Sequence, residues 1–125
     1  MTEQVEIERG LSMRILKESN LRRKDDGASN GQTPVVHYTG WFADEDADDG
    51  RGEQFESSRD NGKYFHFKLG AGRVIQGWDK GIVGMKIGEI RELSITSRLA
   101  YGKQGNQTVP PDTSLIFEVE LLAFV

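Results

Sequence analysis

The stretch from Val74 to Met85 carries the best helical pattern in a chain whose other apolar runs alternate with period two. Ile75, Trp78, Ile82 and Met85 recur at spacings of three, four and three, so they share one helical face. Gly70, Gly72, Gly77, Gly81 and Gly84 surround or interrupt it. A glycine inside a helix costs roughly 1 kcal/mol relative to alanine, so this helix is short and depends on packing. One weak helix among strands leaves a sheet laid across it as the arrangement to expect. Trp78 is the largest apolar side chain on the shared face. Plain core and the floor of a pocket are both open to it.

The strands are read from alternation. Val5 and Ile7 alternate with glutamates and suggest a short edge strand, and Met13 and Ile15 mark a second strand over 12–17. The β-branched and aromatic run Val35 to Phe42 is a third. Gln54 to Arg59 begins as a short strand and ends in a turn. Tyr64 to Leu69 alternates with Phe65, Phe67 and Leu69 on one face. Glu89 to Thr96 points Leu93 and Ile95 inward, and Leu115 to Leu122 does the same with Leu115, Phe117, Val119 and Leu121. Gly88 is expected to end the helical region, and 97–113 reads as a long loop. The fold class is α+β: a twisted antiparallel half-barrel sheet around one short central helix.

Several function classes fall away. At 125 residues the chain fits one domain with one core. Zero cysteines exclude disulfides, a thiol nucleophile and cysteine-bound zinc. No run approaches the roughly 20 apolar residues of a membrane span, and Met1 to Glu6 lacks a signal-peptide profile. A cytoplasmic protein without membrane attachment is the expectation. The formal charge of −4 argues against nucleic acid. The basic triplet Arg22-Arg23-Lys24 runs straight into Asp25-Asp26 and reads as a solvated turn. Asp44, Glu45, Asp46, Asp48 and Asp49 suggest a calcium loop, but strands flank them and the glycines follow the acids, so a solvated surface loop is the reading. His37 and His66 show no metal-ligand spacing and are expected on exposed strand faces. No nucleophile elbow, Walker loop or zinc motif is present, and no metal or cofactor is expected.

Aromatic side chains remain. Tyr38, Trp41, Phe42, Phe55, Tyr64, Phe65, Phe67, Trp78, Tyr101 and Phe117 are more than ordinary core packing needs, and the tyrosine hydroxyls want partners. An apolar pocket with a few polar groups is by default a ligand site.

From about Val35 onward the chain resembles the FKBP-type peptidyl-prolyl isomerases, the receptors for tacrolimus and rapamycin. Val36-His37-Tyr38-Thr39-Gly40 is similar to the family's V-H-Y-T-G, and Phe55-Glu56-Ser57-Ser58-Arg59-Asp60 to F-D-S-S-R-D. Phe65 to Gly70 matches F-x-F-x-L-G, Val74 to Trp78 matches V-I-x-G-W, and Ala100-Tyr101-Gly102 matches A-Y-G. Val109-Pro110-Pro111 with Leu115 to Leu122 resembles the closing I-P-P and L-x-F-x-V-E-L-L. The resemblance implies a single isomerase domain over 11–125, with 1–10 a short flexible extension. It implies that Tyr38, Phe55, Glu56, Phe65, Trp78, Tyr101 and Phe117 do the catalytic work. Val74, Ile75, Ala100 and Val109 would join them in binding substrate or inhibitor. Trp78 would be the floor, and the Ile75 N–H and Tyr101 hydroxyl would hydrogen-bond ligand carbonyls. The implied partners are proline-containing segments of client proteins and the two macrolides, with the chain a monomer.

Four departures stand out against the family. Glu56 replaces the usual Asp, Asn61 replaces a position that is often basic, the segment between Tyr38 and Phe55 is longer, and the 106–109 segment is shorter with Thr108 in a usually apolar place. Three roles are compatible with the resemblance: an active isomerase, a binding module for one proline-containing partner, and a general chaperone. The third usually needs added domains.

Overall fold

A computed structural model describes residues 3–20 and 27–125. The Arg22–Asp26 turn, part of the 24–32 loop and the first two residues of the N-terminal extension lie outside the described residues.

All seven strands read from alternation are present, and all pair antiparallel. They are β1 (Val5–Glu8), β2 (Leu11–Lys17), β3 (Pro34–Ala43), β4 (Arg51–Ser57), β5 (Phe65–His66), β6 (Ile90–Ile95) and β7 (Leu115–Phe124). The spatial order is β1-β2-β6-β7-β3-β4, with β5 also pairing β3, and the sheet is open. Strand pleating sends alternate residues to opposite faces. Leu93, Ile95, Leu115, Phe117, Val119 and Leu121 are all buried on the inner face, as their alternation required.

The one α-helix among the described residues, α1 (Gln76–Gly81), crosses that inner face. It is shorter than the apolar spacing implied. The chain leaves the helix after Gly81, and Gly84 and Gly88 adopt φ values of +89° and +93°, left-handed conformations that suit glycine. Ile82 and Met85 therefore reach the core from a turn, although both are fully buried. A buried cation meets the helix end: Arg91 donates to the carbonyls of Gly81 (2.9 Å) and Val83 (3.1 Å) and to Glu89 Oε2 (2.7 Å). Those are the carbonyls that a terminating helix leaves unpaired.

The helix glycines have a packing cause. A Cβ on Gly77 would stand 2.6 Å from Ile95 Cδ1 and Cγ2, and one on Gly81 would stand 2.7 Å from Leu93 Cδ2. Four residues apart, both face β6 and let the helix backbone settle directly on the sheet.

Other boundaries moved too. The Tyr64–Leu69 run pairs with β3 over only two residues. Beyond them Leu69 turns aside to exchange backbone hydrogen bonds with the 31–32 loop, its N–H donating to Gln32 and its carbonyl accepting from Gly31, both at 2.9 Å. The acidic loop spans 44–50, between the end of β3 at Ala43 and the start of β4 at Arg51. Asp44 and Asp49 accept backbone N–H groups two residues ahead, of Asp46 (2.9 Å) and Arg51 (3.0 Å), so part of the acidic character serves local turns. A short 3₁₀ turn, Ser97–Leu99, interrupts the long loop before β7. His66 is exposed as expected. His37 is not: it is half-buried, with Nδ1 2.9 Å from Ser58 Oγ and its ring 4.7 Å from that of Tyr64.

Candidate active site

The site forms where α1 meets the inner face of β3 and β7. Trp78, in α1 and 4% exposed, is ringed by aromatics. Tyr38, Phe65 and Phe117 have centroids 4.9, 5.9 and 5.3 Å from it and planes turned by 80°, 75° and 85°. Three rings therefore stand upright on the indole as walls on a floor, in the edge-to-face arrangement aromatic pairs favour. Phe67, buried, meets Trp78 at 5.7 Å and tilted.

The cavity so enclosed has a volume of about 190 Å³ and is lined by Tyr38, Glu56, Phe65, Arg73, Val74, Ile75, Trp78, Tyr101 and Phe117. Eight of these were named from sequence. Arg73 was not, because nothing in a single arginine beside glycines distinguishes a pocket wall from an exposed turn. Phe55, Ala100 and Val109 are not in the lining. Phe55 stacks on Phe42 at 4.9 Å and meets Phe117 edge-on at 5.7 Å, which puts it behind the wall. Ala100 packs against the core, and Val109 is buried in it.

Local sequence explains how the walls are held. Gly40 makes room for two of the rings, since a Cβ there would lie 2.7 Å from Phe117 Cε1 and 2.8 Å from Phe55 Cζ. Ser58 Oγ accepts the Tyr38 N–H (2.8 Å), and Ser57 Oγ lies 2.9 Å from Thr39 Oγ1. The serine pair of the Phe55–Asp60 motif thus fixes the strand that carries Tyr38. Asp79 in α1 accepts the N–H groups of Gly70 (2.9 Å) and Gly72 (3.0 Å), tying down the turn that bears Arg73, Val74 and Ile75.

The polar groups are few. The Tyr38 hydroxyl donates to Glu56 Oε1. Burial, and then the Glu56 carboxylate through that hydrogen bond and its charge, hold the Tyr38 proton well above the ordinary tyrosine range. Burial, followed by the charge of Glu56, also raises the Tyr101 hydroxyl. Both remain neutral donors at physiological pH. The Tyr101 hydroxyl and the Ile75 N–H make no hydrogen bond among the described residues, and Trp78 Nε1 is buried without a partner. The site is an apolar box with free donors at its edge. It brings together no nucleophile with an adjacent base, and the described residues contain no cluster of three or more side chains suited to a metal. The Asn106–Val109 segment closes on itself, with Asn106 Oδ1 accepting from the N–H of Thr108 (2.8 Å) and Val109 (2.6 Å).

Comparison with known proteins agrees with this geometry. The chain is 46% identical over 114 residues to FK506-binding protein 2 of Yarrowia lipolytica, covering 90% of this chain and 74% of that one. It is 40% identical over 116 residues to FK506-binding protein 1 of Dictyostelium discoideum, covering 92% and 98%. It is 45% identical over 97 residues to peptidyl-prolyl cis-trans isomerase FKBP15-2 of Arabidopsis thaliana, covering 77% and 55%. Among solved structures, the N-terminal domain of FKBP42 from Arabidopsis thaliana superposes with a TM-score of 0.82 at 27% identity, over 100% of this chain and 94% of that one. The family model for FKBP-type peptidyl-prolyl cis-trans isomerases matches residues 24–122, and this chain belongs to that family.

Proposed function

We propose that this chain interconverts cis and trans X-Pro bonds of client proteins in the Trp78 box, with residues 11–125 acting as one isomerase domain. The barrier to be lowered is roughly 18–20 kcal/mol and arises from amide resonance. No covalent bond breaks, so neither nucleophile nor metal is needed. The planar amide is the more charge-separated form, and the twisted form is less polar. An apolar box therefore favours the twisted state over the planar one, which is the differential binding catalysis requires. The proline ring rests on Trp78 between Tyr38, Phe65 and Phe117. The Ile75 N–H and the Tyr101 hydroxyl hold carbonyls on either side of the turning bond, and Glu56 steadies Tyr38.

The observation that carries this reading is the set of three rings upright on a buried indole, with two free donors beside them. The same box would accept the ring and carbonyls of tacrolimus or rapamycin, so both are proposed as inhibitors. The chain is proposed to act as a monomer in the cytoplasm, and its zero cysteine count suits a reducing compartment. Among the described residues no helix is long and apolar enough to cross a membrane.

The test is cis-to-trans relaxation of a Phe-Pro peptide, with and without rapamycin, in the wild type and in Trp78→Leu. The wild type should accelerate relaxation, rapamycin should abolish the effect, and Trp78→Leu should lose most of it while remaining folded. A folded wild type that does not accelerate relaxation would sink the enzyme reading and leave a proline-binding module. Acceleration that rapamycin spares would instead point to Asn61 or the tight Thr108 turn.

A further inference from the structure

We propose that Arg73 selects clients carrying an anionic side chain close to the isomerised proline. This rests on the assignment of the Trp78 cavity as the proline site. Arg73 lines that cavity, and it also lines a neighbouring groove with Thr33, Phe65, His66, Phe67, Lys68 and Val125. Phe65 and Arg73 are the two residues common to both, so they form the rim over which an extended peptide passes from one to the other. Arg73 and Lys68 are exposed. Neither makes a hydrogen bond or ion pair through its side chain among the described residues.

For Arg73 that is unusual, because of the six other described arginines all but Arg9 have an engaged side chain, Arg14 through Gln4. Arg51 meets Glu92 and Glu118, Arg59 meets Glu120, Arg91 meets Glu89, and Arg98 donates to the Arg9 carbonyl. The nearby acids do not satisfy Arg73 either. Glu56 accepts from Tyr38, and Asp79 is occupied by Gly70 and Gly72. Two free cations thus mark the rim of an active site on a molecule of net charge −4. The planar guanidinium of Arg73 suits carboxylate and phosphate alike through paired N–H donors. Because Arg73 lies two residues before Ile75, whose N–H is the proposed carbonyl donor, the complementary charge falls within a residue or two of the proline.

The test uses peptides with one Phe-Pro core and Gln, Glu, phosphoserine or Lys placed in turn on each side of it. The readouts are kcat/KM and, separately, binding by fluorescence anisotropy. Wild type should favour Glu over Lys by roughly two- to five-fold at low salt, the size expected of one exposed charge pair. Phosphoserine should match or exceed Glu, and the preference should shrink as salt rises. Arg73→Glu should invert the order, Arg73→Lys should keep it, and Lys68→Glu should weaken it. Thermal melts confirm that each variant is folded. Equal turnover and binding of the Glu and Lys peptides by wild type, or a preference unchanged in Arg73→Glu, overturns the inference. Failure to turn over even the Gln peptide would fail the isomerase reading alone, since the anisotropy series still reports on Arg73.

Discussion

At the scale of single residues, the site is governed by which protons stay in place. Tyr38 and Tyr101 both hold theirs above the ordinary tyrosine value, chiefly through burial and further through Glu56. An unfolded tyrosine releases its proton near pH 10. Above that pH the unfolded chain has lost protons that the folded chain keeps, so stability is full below it and falls as pH rises further. Urea midpoints measured from about pH 9 to about pH 11 should therefore decline, and less steeply in Tyr101→Phe; equal slopes in the two proteins would contradict the assignment. Glu56→Gln should bring the Tyr38 titration down, seen as earlier tyrosinate absorbance, because the carboxylate's charge is removed and burial, with a contribution from Tyr101, is left to oppose ionisation. The aromatic members of the box were legible in sequence because each sits inside a dense motif. Arg73 was not, since its meaning depends on a groove formed by residues distant in the chain. The resemblance puts Phe55 in the binding set; its ring meets Phe117 edge-on outside the cavity lining, at a point where the β3–β4 register shifts between Glu56 and Gln54, so alternation alone does not place it.

At the scale of elements, α1 is a helix that its own residues disfavour and its neighbours sustain. Replacing Gly77 by Ala would gain roughly 1 kcal/mol of helix propensity. The new methyl would meet buried Ile95 at 2.6 Å, at Cγ2 next to its Cβ as well as at the terminal Cδ1, so moving the far end alone does not relieve the contact. Overpacking of this kind costs typically about 1–3 kcal/mol, so Gly77→Ala should be net destabilising by chemical denaturation. A more stable variant would show that the helix sits less closely on β6 than described. Asp79 ties the other end of the site. Asp79→Ala strands the Gly70 and Gly72 N–H groups and frees the turn holding Ile75. We expect KM for a proline peptide to rise several-fold with a smaller change in kcat, because the aromatic box itself is untouched. A loss confined to kcat would contradict that. Sequence periodicity found the helix but overstated its length, since Ile82 and Met85 keep helical spacing while reaching the core from a turn.

At the scale of the whole molecule, alternation told which face of each strand is buried but not which strands are neighbours. Nothing in β7 announces that the last strand lies between β3 and β6, because identical inward patterns on several strands permit many pairings. Its central place has a consequence. The site draws Tyr38 from β3, Phe117 from β7 and Trp78 from α1, so the box as a whole is not complete until the final strand is in place. The two tryptophans report on this from opposite sides. Trp78 lies on the inner face, whereas Trp41 alternates out of it, under the Arg51 guanidinium 4.2 Å from its ring centroid. Arg51 in turn reaches Glu92 on β6 and Glu118 on β7, which joins the outer face across three strands. If one core organises the chain, Trp41→Phe and Trp78→Phe, each leaving a single fluorophore, should show denaturation midpoints by fluorescence that coincide with those of their own far-UV circular dichroism. Splitting of the curves in Trp78→Phe, with the Trp41 signal lost first, would mean that the outer edge of β3 and β4 melts separately from the half of the sheet that grips the helix. The pocket would then rest on a smaller cooperative unit than residues 11–125.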